Sequence, residues 1–369
     1  MRKEIPYVNL KEQSKEENKQ IINSLKNILN KSDFIMGDEV LKFEKNICKY
    51  LRVKYCVALN SGTDALTLAL SLVGVKRGDE VITPSNSFVA STASIVHLGA
   101  KPVFVDCGDD YNINPEKIEQ NITKKTKAIM PVHLTGRACK MDKIIEISRK
   151  YKIPVIEDSA QAIGTMYKKK FVGTYGDIGC FSAHPLKNLN AIGDSGYLVT
   201  NNYRFYKKAC LLRNHGMQDR NTIKFFGHVS RMDNFQAAVL NIRLKKLKNV
   251  ISRRRKNAAL YTSELKNLND VQLPNETSND FSTFHTFIIY AKSRDKLKKY
   301  LKKNKINCAI HYPYLIHKLK FLKKFQPQKF KLPKAEKLVK NILTLPVNQY
   351  MRRSEIIYIS NTIKKFYSR

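Results

Sequence analysis

The amino-acid sequence predicts an α/β protein: a large unit built on a mainly parallel sheet covered by helices on both faces, followed by a smaller α+β unit. Two observations carry this expectation. Through the first half of the chain, short β-branched runs alternate with segments of helical period, the pattern of βαβ units whose strands are buried on both faces. After about residue 200 the alternation stops. A long helical stretch spanning 231–265 then leads into a Lys-rich region with its own strands and helices.

The elements follow in order. "YCVALN" (55–60) reads as a strand, and "TDALTLALSLVG" (63–74) as a helix closed by Gly74. The strand "EVITPS", the helix "SFVASTASIVHLG" and the strand "KPVFVDC" come next, then the helical "PEKIEQNI" and the strand "KAIMPVHL". "MDKIIEISRKYK" is a helix, "IPVIEDS" a strand, and "GCFSAH" is β-rich. Beyond 265, "TFHTFIIYA" and "NCAIHYP" read as strands, "RDKLKKYLKKN" as a helix, and a last helix lies near 353–367. The expected division is a large unit over residues 1–250 and a small one over 251–369.

Composition narrows the possibilities. At 369 residues the chain has room for two domains on a prior of roughly 150 residues each. No apolar run approaches the ~18 residues that span a bilayer, and the opening "MRKEIPYVNLKEQSKEENK" lacks the apolar centre of a signal peptide, so a soluble, cytoplasmic protein is expected. Seven scattered Cys without a C-x-x-C pair indicate neither a disulfide framework nor a zinc site. A formal charge of +36 invites a nucleic-acid reading. Its distribution weakens that idea: residues 251–369 hold 27 Lys or Arg against 7 Asp or Glu, in runs such as "KLKKYLKKNK" that suit exposed helix faces and loops. No helix-turn-helix, zinc-finger or RNP signature accompanies them. A positive field would still gather an anionic substrate.

In open α/β sheets ligands collect at the carboxyl ends of the strands, which selects "NSGT", "PSNSF" and "EDSAQ". Ser61, Gly62 and Thr63 stand where a strand turns into a helix, so free backbone N–H groups and the positive end of the helix dipole suit a phosphate there. A plain N-cap is the competing reading. Asp158 ends an otherwise apolar strand; it serves either as a structural hydrogen-bonding group or as the fixed negative partner of a protonated heterocyclic nitrogen. Lys187 sits among Ser, His, Pro, Asn and Gly in "FSAHPLKNLNAIGDSG", a loop whose Pro185, Gly193 and Gly196 suit tight turns. A desolvated amine in that setting loses its proton near neutral pH and attacks an aldehyde. A solvated surface lysine is the competing reading, but the order of phosphate loop, Asp and Lys suits pyridoxal phosphate chemistry, in which Lys187 would be the Schiff-base lysine.

From end to end the chain resembles the DegT/DnrJ/StrS family of pyridoxal-phosphate-dependent sugar aminotransferases, of the aspartate aminotransferase type I fold. The blocks that carry the resemblance include "FIMGDEVLKFEK", "ALNSGTDALTLAL", "GDEVITPSNSFVAS", "VIEDSAQAIG", "FSAHPLKNLNAIGDSG", "SRMDNFQAAVL", "IHYPYLIH" and "LTLPVNQY". The resemblance implies pyridoxal 5′-phosphate bound by Lys187. Asp158 would face its ring nitrogen, Gln161 its phenolic oxygen, Phe88 its ring face, and Gly62, Thr63 and Ser182 its phosphate. It also implies a nucleotide-diphosphate-linked keto-sugar as substrate, L-glutamate as amino donor, and a homodimer with its site at the subunit interface. His311, Tyr312 and His317 lie where the family lines its sugar-nucleotide cleft. Two departures stand out. Val229 replaces the usual Asn of "G-x-N-x-R", so a cross-subunit phosphate contact is lost or passes to His228 or Ser230. Ser195 replaces a Gly of "GDGG" and would be strained if that position needs positive φ. Family members that dehydrate sugars commonly carry His in place of the Schiff-base Lys, and Lys187 argues against that chemistry.

Overall fold

The computed structural model describes residues 4–368. Seven strands form the main sheet of the large unit: β1 (Tyr55–Leu59), β2 (Glu80–Pro84), β3 (Lys101–Val105), β4 (Thr126–Ile129), β5 (Ile156–Asp158), β6 (Ile178–Ser182) and β7 (Gly196–Thr200). Two more, β8 (Phe287–Ala291) and β9 (Ile342–Leu345), belong to the C-terminal region. The helices are α1 (Leu10–Lys31), α2 (Asp38–Leu51), α3 (Gly62–Leu72), α4 (Val89–His97), α5 (Met141–Tyr151), α6 (Tyr203–Leu212), α7 (Asn234–Leu265), α8 (Arg294–Lys303), α9 (Pro333–Asn341) and α10 (Arg353–Tyr367).

The two-residue period of a strand explains why helices cover both faces of the sheet. Along β1, Val57 and Leu59 turn to one side, where they join Leu66 and Leu70 of α3. Cys56 and Ala58 turn to the other, against Phe43 and Ile47 of α2 and Ala237 and Leu240 of α7. Full burial of each such Val or Leu side chain contributes about 1.5–3 kcal/mol. Strands β3, β2 and β4 are parallel, with Ile82 opposite Val103 and Ile129. Parallel bridges from Ile129 to Val155 and from Val132 to Asp158 join them to β5, which pairs with β6 in parallel. Antiparallel pairing of β7 with both β6 and β1 completes the order β3-β2-β4-β5-β6-β7-β1. The sheet is mainly parallel as expected, with β7 alone reversed. Its carboxyl ends therefore bring the loops after β1, β2, β5 and β6 to one edge.

The C-terminal core forms around β8 and β9, paired antiparallel with Phe287 opposite Leu345, and around Leu297 and Leu301 of α8 and Ile356, Ile359 and Ile363 of α10. Helix α7 serves both cores: Leu247 and Ile251 pack with α2, whereas Ala258, Tyr261 and Leu265 pack with β8 and α10. Ile5, near the other end of the chain, also lies in the C-terminal core.

Two local expectations change, and one helix appears where the sequence predicted no element. "PEKIEQNI" forms two short 3-10 turns, Pro115–Lys117 and Glu119–Asn121, because Pro115 and Ile118 alone are buried there, too little apolar surface for a helical stripe. "NCAIHYP" pairs with β9 through a single bridge, Ala309 to Thr344, because His311 and Tyr312 leave the ladder to line a cavity. The polar N-terminus is helical over α1, which polar contacts hold in place: buried Glu17 accepts from Arg243 Nε of α7 at 2.8 Å.

Candidate active site

A cavity of about 350 Å³ opens at the carboxyl edge of the sheet, and its wall contains Ser61, Gly62, Thr63, Phe88, Asp158, Gln161, Ser182 and Lys187. Four separate loops are thus brought to one space.

The turn from β1 into α3 builds one end. Ser61 is the N-cap, extended, with its Oγ accepting from Asp64 N at 3.0 Å, so the capping reading holds for this residue. Capping leaves the Gly62 and Thr63 N–H groups, which find no acceptor among the described residues and head the helix where it meets the cavity. Glycines keep this corner open. A Cβ on Gly62 would stand 2.7 Å from Ser182 Cβ, and one on Gly196 would stand 2.2 Å from the Ser61 carbonyl carbon. Neither Gly193 nor Gly196 has positive φ; they are glycine for close approach rather than for a tight turn. Ser195, also in the wall, lies outside the positive-φ region too, so the substitution there carries no such strain.

Asp158 ends β5 with its carboxylate buried. Oδ2 accepts from Ser91 Oγ at 2.7 Å and Oδ1 from Ala160 N at 3.1 Å. Burial pushes its pKa up, and those two donors and the charge of Lys187 oppose the rise. Its neighbour Glu157 points to the opposite face, fully buried, and accepts from the N–H groups of Gly173, Tyr175 and Gly176 at 2.6–2.7 Å. His133 Nδ1 accepts from Cys139 N, which leaves Nε2 to donate to Glu157 at 2.9 Å. The strand end that aims Asp158 is pinned from behind.

Lys187 lies in the loop between β6 and β7. Asn190 Nδ2 donates to Pro185 O at 2.7 Å, Arg243 Nη1 to the carbonyls of Asn190 and Ala191 at 2.8 and 3.1 Å, and Asn188 Nδ2 to Thr283 O at 3.3 Å. These bonds explain the Asn-rich composition of the loop: a buried irregular segment must find partners for its backbone polar groups. The cavity leaves part of the Lys187 side chain accessible, yet the protein around its amine pulls the pKa down to about 8, against the opposing charge of Asp158.

Phe88 caps α4 and is half-exposed across the cavity, its ring centroid 5.6 Å from that of Tyr312. Gln161 Nε2 donates to Tyr312 Oη at 2.8 Å, while its Oε1 accepts from Thr135 N. Of the expected substrate residues, His311 and Tyr312 line the cavity. His317 does not: its Nδ1 is 2.7 Å from Ser85 Oγ, and Nε2 faces Glu336 at 3.4 Å. His228 is exposed outside the cavity, its carbonyl accepting from His215 N, and Val229 beside it is also exposed. Tyr7, Ser91, Arg254, His285 and Asn348 also line the cavity, and sequence reasoning did not single them out. Ser91 had a signal, standing one helical turn after Phe88.

The arrangement fits pyridoxal 5′-phosphate by the chemistry of its donors. Orphaned helix N–H groups suit a phosphate, a buried carboxylate suits a ring N–H⁺, a half-exposed aromatic suits a ring face, and a desolvated amine suits an aldehyde.

Comparison with known proteins gives the family of the chain. The DegT/DnrJ/EryC1/StrS aminotransferase family profile matches residues 15–364. The chain is 38% identical over 363 residues to the dTDP-3-amino-3,6-dideoxy-α-D-galactopyranose transaminase of Aneurinibacillus thermoaerophilus, covering 98% of this chain and 99% of that protein. It is 37% identical to a pleiotropic regulatory protein of Geobacillus stearothermophilus, covering 98% of each. Among solved structures, S. venezuelae DesV in complex with a ketimine intermediate superposes with a TM-score of 0.97 at 32% identity over 100% of both chains. NtdA of Bacillus subtilis with bound cofactor PMP has a TM-score of 0.92 at 31% identity, over 99% of this chain and 86% of that one.

Proposed function

The chain belongs to the DegT/DnrJ/EryC1/StrS aminotransferase family, and from that premise we propose that it moves an amino group from L-glutamate to a keto-sugar carried on a nucleoside diphosphate, with pyridoxal 5′-phosphate as cofactor. The observation that carries this reading is the sharing of one cavity by a desolvated Lys187 amine, the buried Asp158 carboxylate and the open N-terminus of α3. A deoxysugar transaminase as a full-length relative supports the sugar substrate.

When bound, the cofactor supplies an aldehyde for the Lys187 amine and a cationic ring that accepts electrons from the reacting carbon. The protein's residues do the rest. Asp158, oriented by Ser91 and Ala160, holds the ring nitrogen in its charged form. Gly62 and Thr63 offer backbone N–H groups to the phosphate, and the Ser182 and Ser61 hydroxyls stand beside them. Phe88 supplies a face for the ring, and Gln161 keeps an amide N–H for its phenolic oxygen. Lys187, with a pKa of about 8, is placed to take a proton from the substrate carbon and return one as base and then acid. Donor and acceptor use this site in turn, a two-half-reaction scheme. His311 and Tyr312 flank the sugar.

His228 and Val229 are exposed outside the cavity of their own chain, so the contact that the family resemblance assigns to this block would be made to a neighbouring chain. We therefore read the protein as a homodimer, supported by a surface on which Ile223 and Val229 are more than half exposed and Phe226 wholly so. His317 braces, through Ser85, the loop between β2 and α4 that carries Phe88, and takes no part in the sugar contact.

Incubation with 15N-glutamate and a panel of nucleoside-diphosphate keto-sugars, followed by mass spectrometry, tests the reaction. A nitrogen-bearing sugar nucleotide carrying the label is expected. Loss of water without gain of nitrogen would contradict it.

A further inference from the structure

Arg254 is the third residue of "SRRRK" on α7, and the three arginines meet three fates. Arg253 is exposed, Arg255 lies over the Phe281 ring at 4.1 Å and pairs with Glu276, and Arg254 is buried at 6% exposure in the wall of the cavity. Its Nη1 donates to the carbonyls of Phe284 and His285 at 3.3 and 3.1 Å, which orient the guanidinium without neutralising it. Its Nε has no acceptor, and no carboxylate pairs with it among the described residues. Burial pulls its pKa down to about 10, so it remains charged at neutral pH. A guanidinium so buried and unpaired is costly unless an anion completes it. Around it stand Tyr7, whose ring stacks on His311 at 5.7 Å, and His285, whose Nδ1 has no partner. Burial and the charges of Lys187 and Arg254 keep His285 neutral, and burial with the Lys187 charge brings His311 down to about 4. Arg254 is therefore the cation left on this wall for a ligand.

We propose that Arg254, with Tyr7 and His285 beside it, is the subsite that receives the α-carboxylate of the amino-acid donor. The choice of anion follows from bonding distances. In an α-amino acid the carboxylate is attached to the same carbon as the reacting nitrogen, so it must sit deep in the cavity near Lys187. In a nucleoside-diphosphate sugar the diphosphate hangs from the anomeric carbon, several bonds from a ring carbonyl, and needs the mouth. The guanidinium fork matches a carboxylate through two parallel N–H donors.

The subsite deepens the aminotransferase reading and rests on it for the identity of the donor. Its test is binding of glutarate, a dicarboxylate with no amine to react, and of uridine 5′-diphosphate to the holoenzyme by calorimetry, in wild type, Arg254→Gln and Arg254→Lys. Glutarate affinity is expected to fall at least about tenfold in Arg254→Gln and to recover in part in Arg254→Lys, with the nucleotide's dissociation constant unchanged within about twofold. Unchanged glutarate binding, no glutarate binding in wild type, or an equal loss for the nucleotide overturns the assignment. If glutarate behaves as expected but glutamate fails to bleach the wild-type chromophore, the donor assignment falls and the carboxylate subsite stands.

Discussion

At Lys187 two effects oppose each other. Desolvation removes the amine's charge, Asp158 favours it, and desolvation wins, leaving the pKa at about 8. The amine is thus mostly protonated below pH 8 and mostly neutral above it. The rate at which the apoenzyme recombines with pyridoxal phosphate is expected to rise with pH and level off above about 8, followed by absorbance in stopped flow. Replacing Asp158 with Asn removes the negative charge that keeps the amine protonated, so the midpoint should move lower. The same variant should lose roughly 10²-fold or more in turnover, because a preorganised charge at the reacting ring is gone. A midpoint that rises, or turnover within a few fold of wild type, would contradict the roles given to this pair. Lys187 and Asp158 were legible in the sequence because Asp158 ends an apolar strand and Lys187 stands in the loop that follows another, each in a short local pattern. Arg254 was not, because one buried arginine in "SRRRK" looks the same as its exposed neighbour until α7 is packed. Tyr7 and His285 were hidden likewise, reaching the cavity only once the chain's two ends meet in the C-terminal core.

The elements that build the site are held at backbone contact distances. Strand β7 passes so close to the start of α3 that Gly196 has no room for a Cβ. Gly196→Ala is expected to separate β7 from the phosphate end of the cavity, costing at least about 2 kcal/mol by overpacking and weakening pyridoxal phosphate binding. Urea unfolding and cofactor titration measure the two effects, and a variant with wild-type values in both would show that the corner is not tight. The parallel strands and their crossover helices followed from the sequence because strands buried on both faces are continuous apolar runs and their helices carry a 3.6-residue period. What escaped was α1, whose buried side chains include Gln13 and Glu17, so it lacks the apolar stripe that marks a helix. Expected elements that shrank, such as "PEKIEQNI", have helical composition without enough surface to bury.

Over the whole molecule the formal charge is +36, and an excess of cations of that size creates a positive field that gathers an anionic substrate. No helix among the described residues is long and apolar enough to cross a membrane. The apolar tip at Ile223, Phe226 and Val229 stands free on a single chain. Light scattering should return twice the 42.5 kDa chain mass, and Phe226→Glu should shift it towards one chain; a wild-type monomer would remove the place given to the second subunit. Strand ends far apart in sequence gather around one reactive amine. Borohydride reduction of the holoenzyme followed by peptide mapping tests that claim most directly. A single pyridoxyl label is expected on the peptide containing Lys187, and a label on any other lysine, or none with cofactor in excess, would contradict the role of that amine.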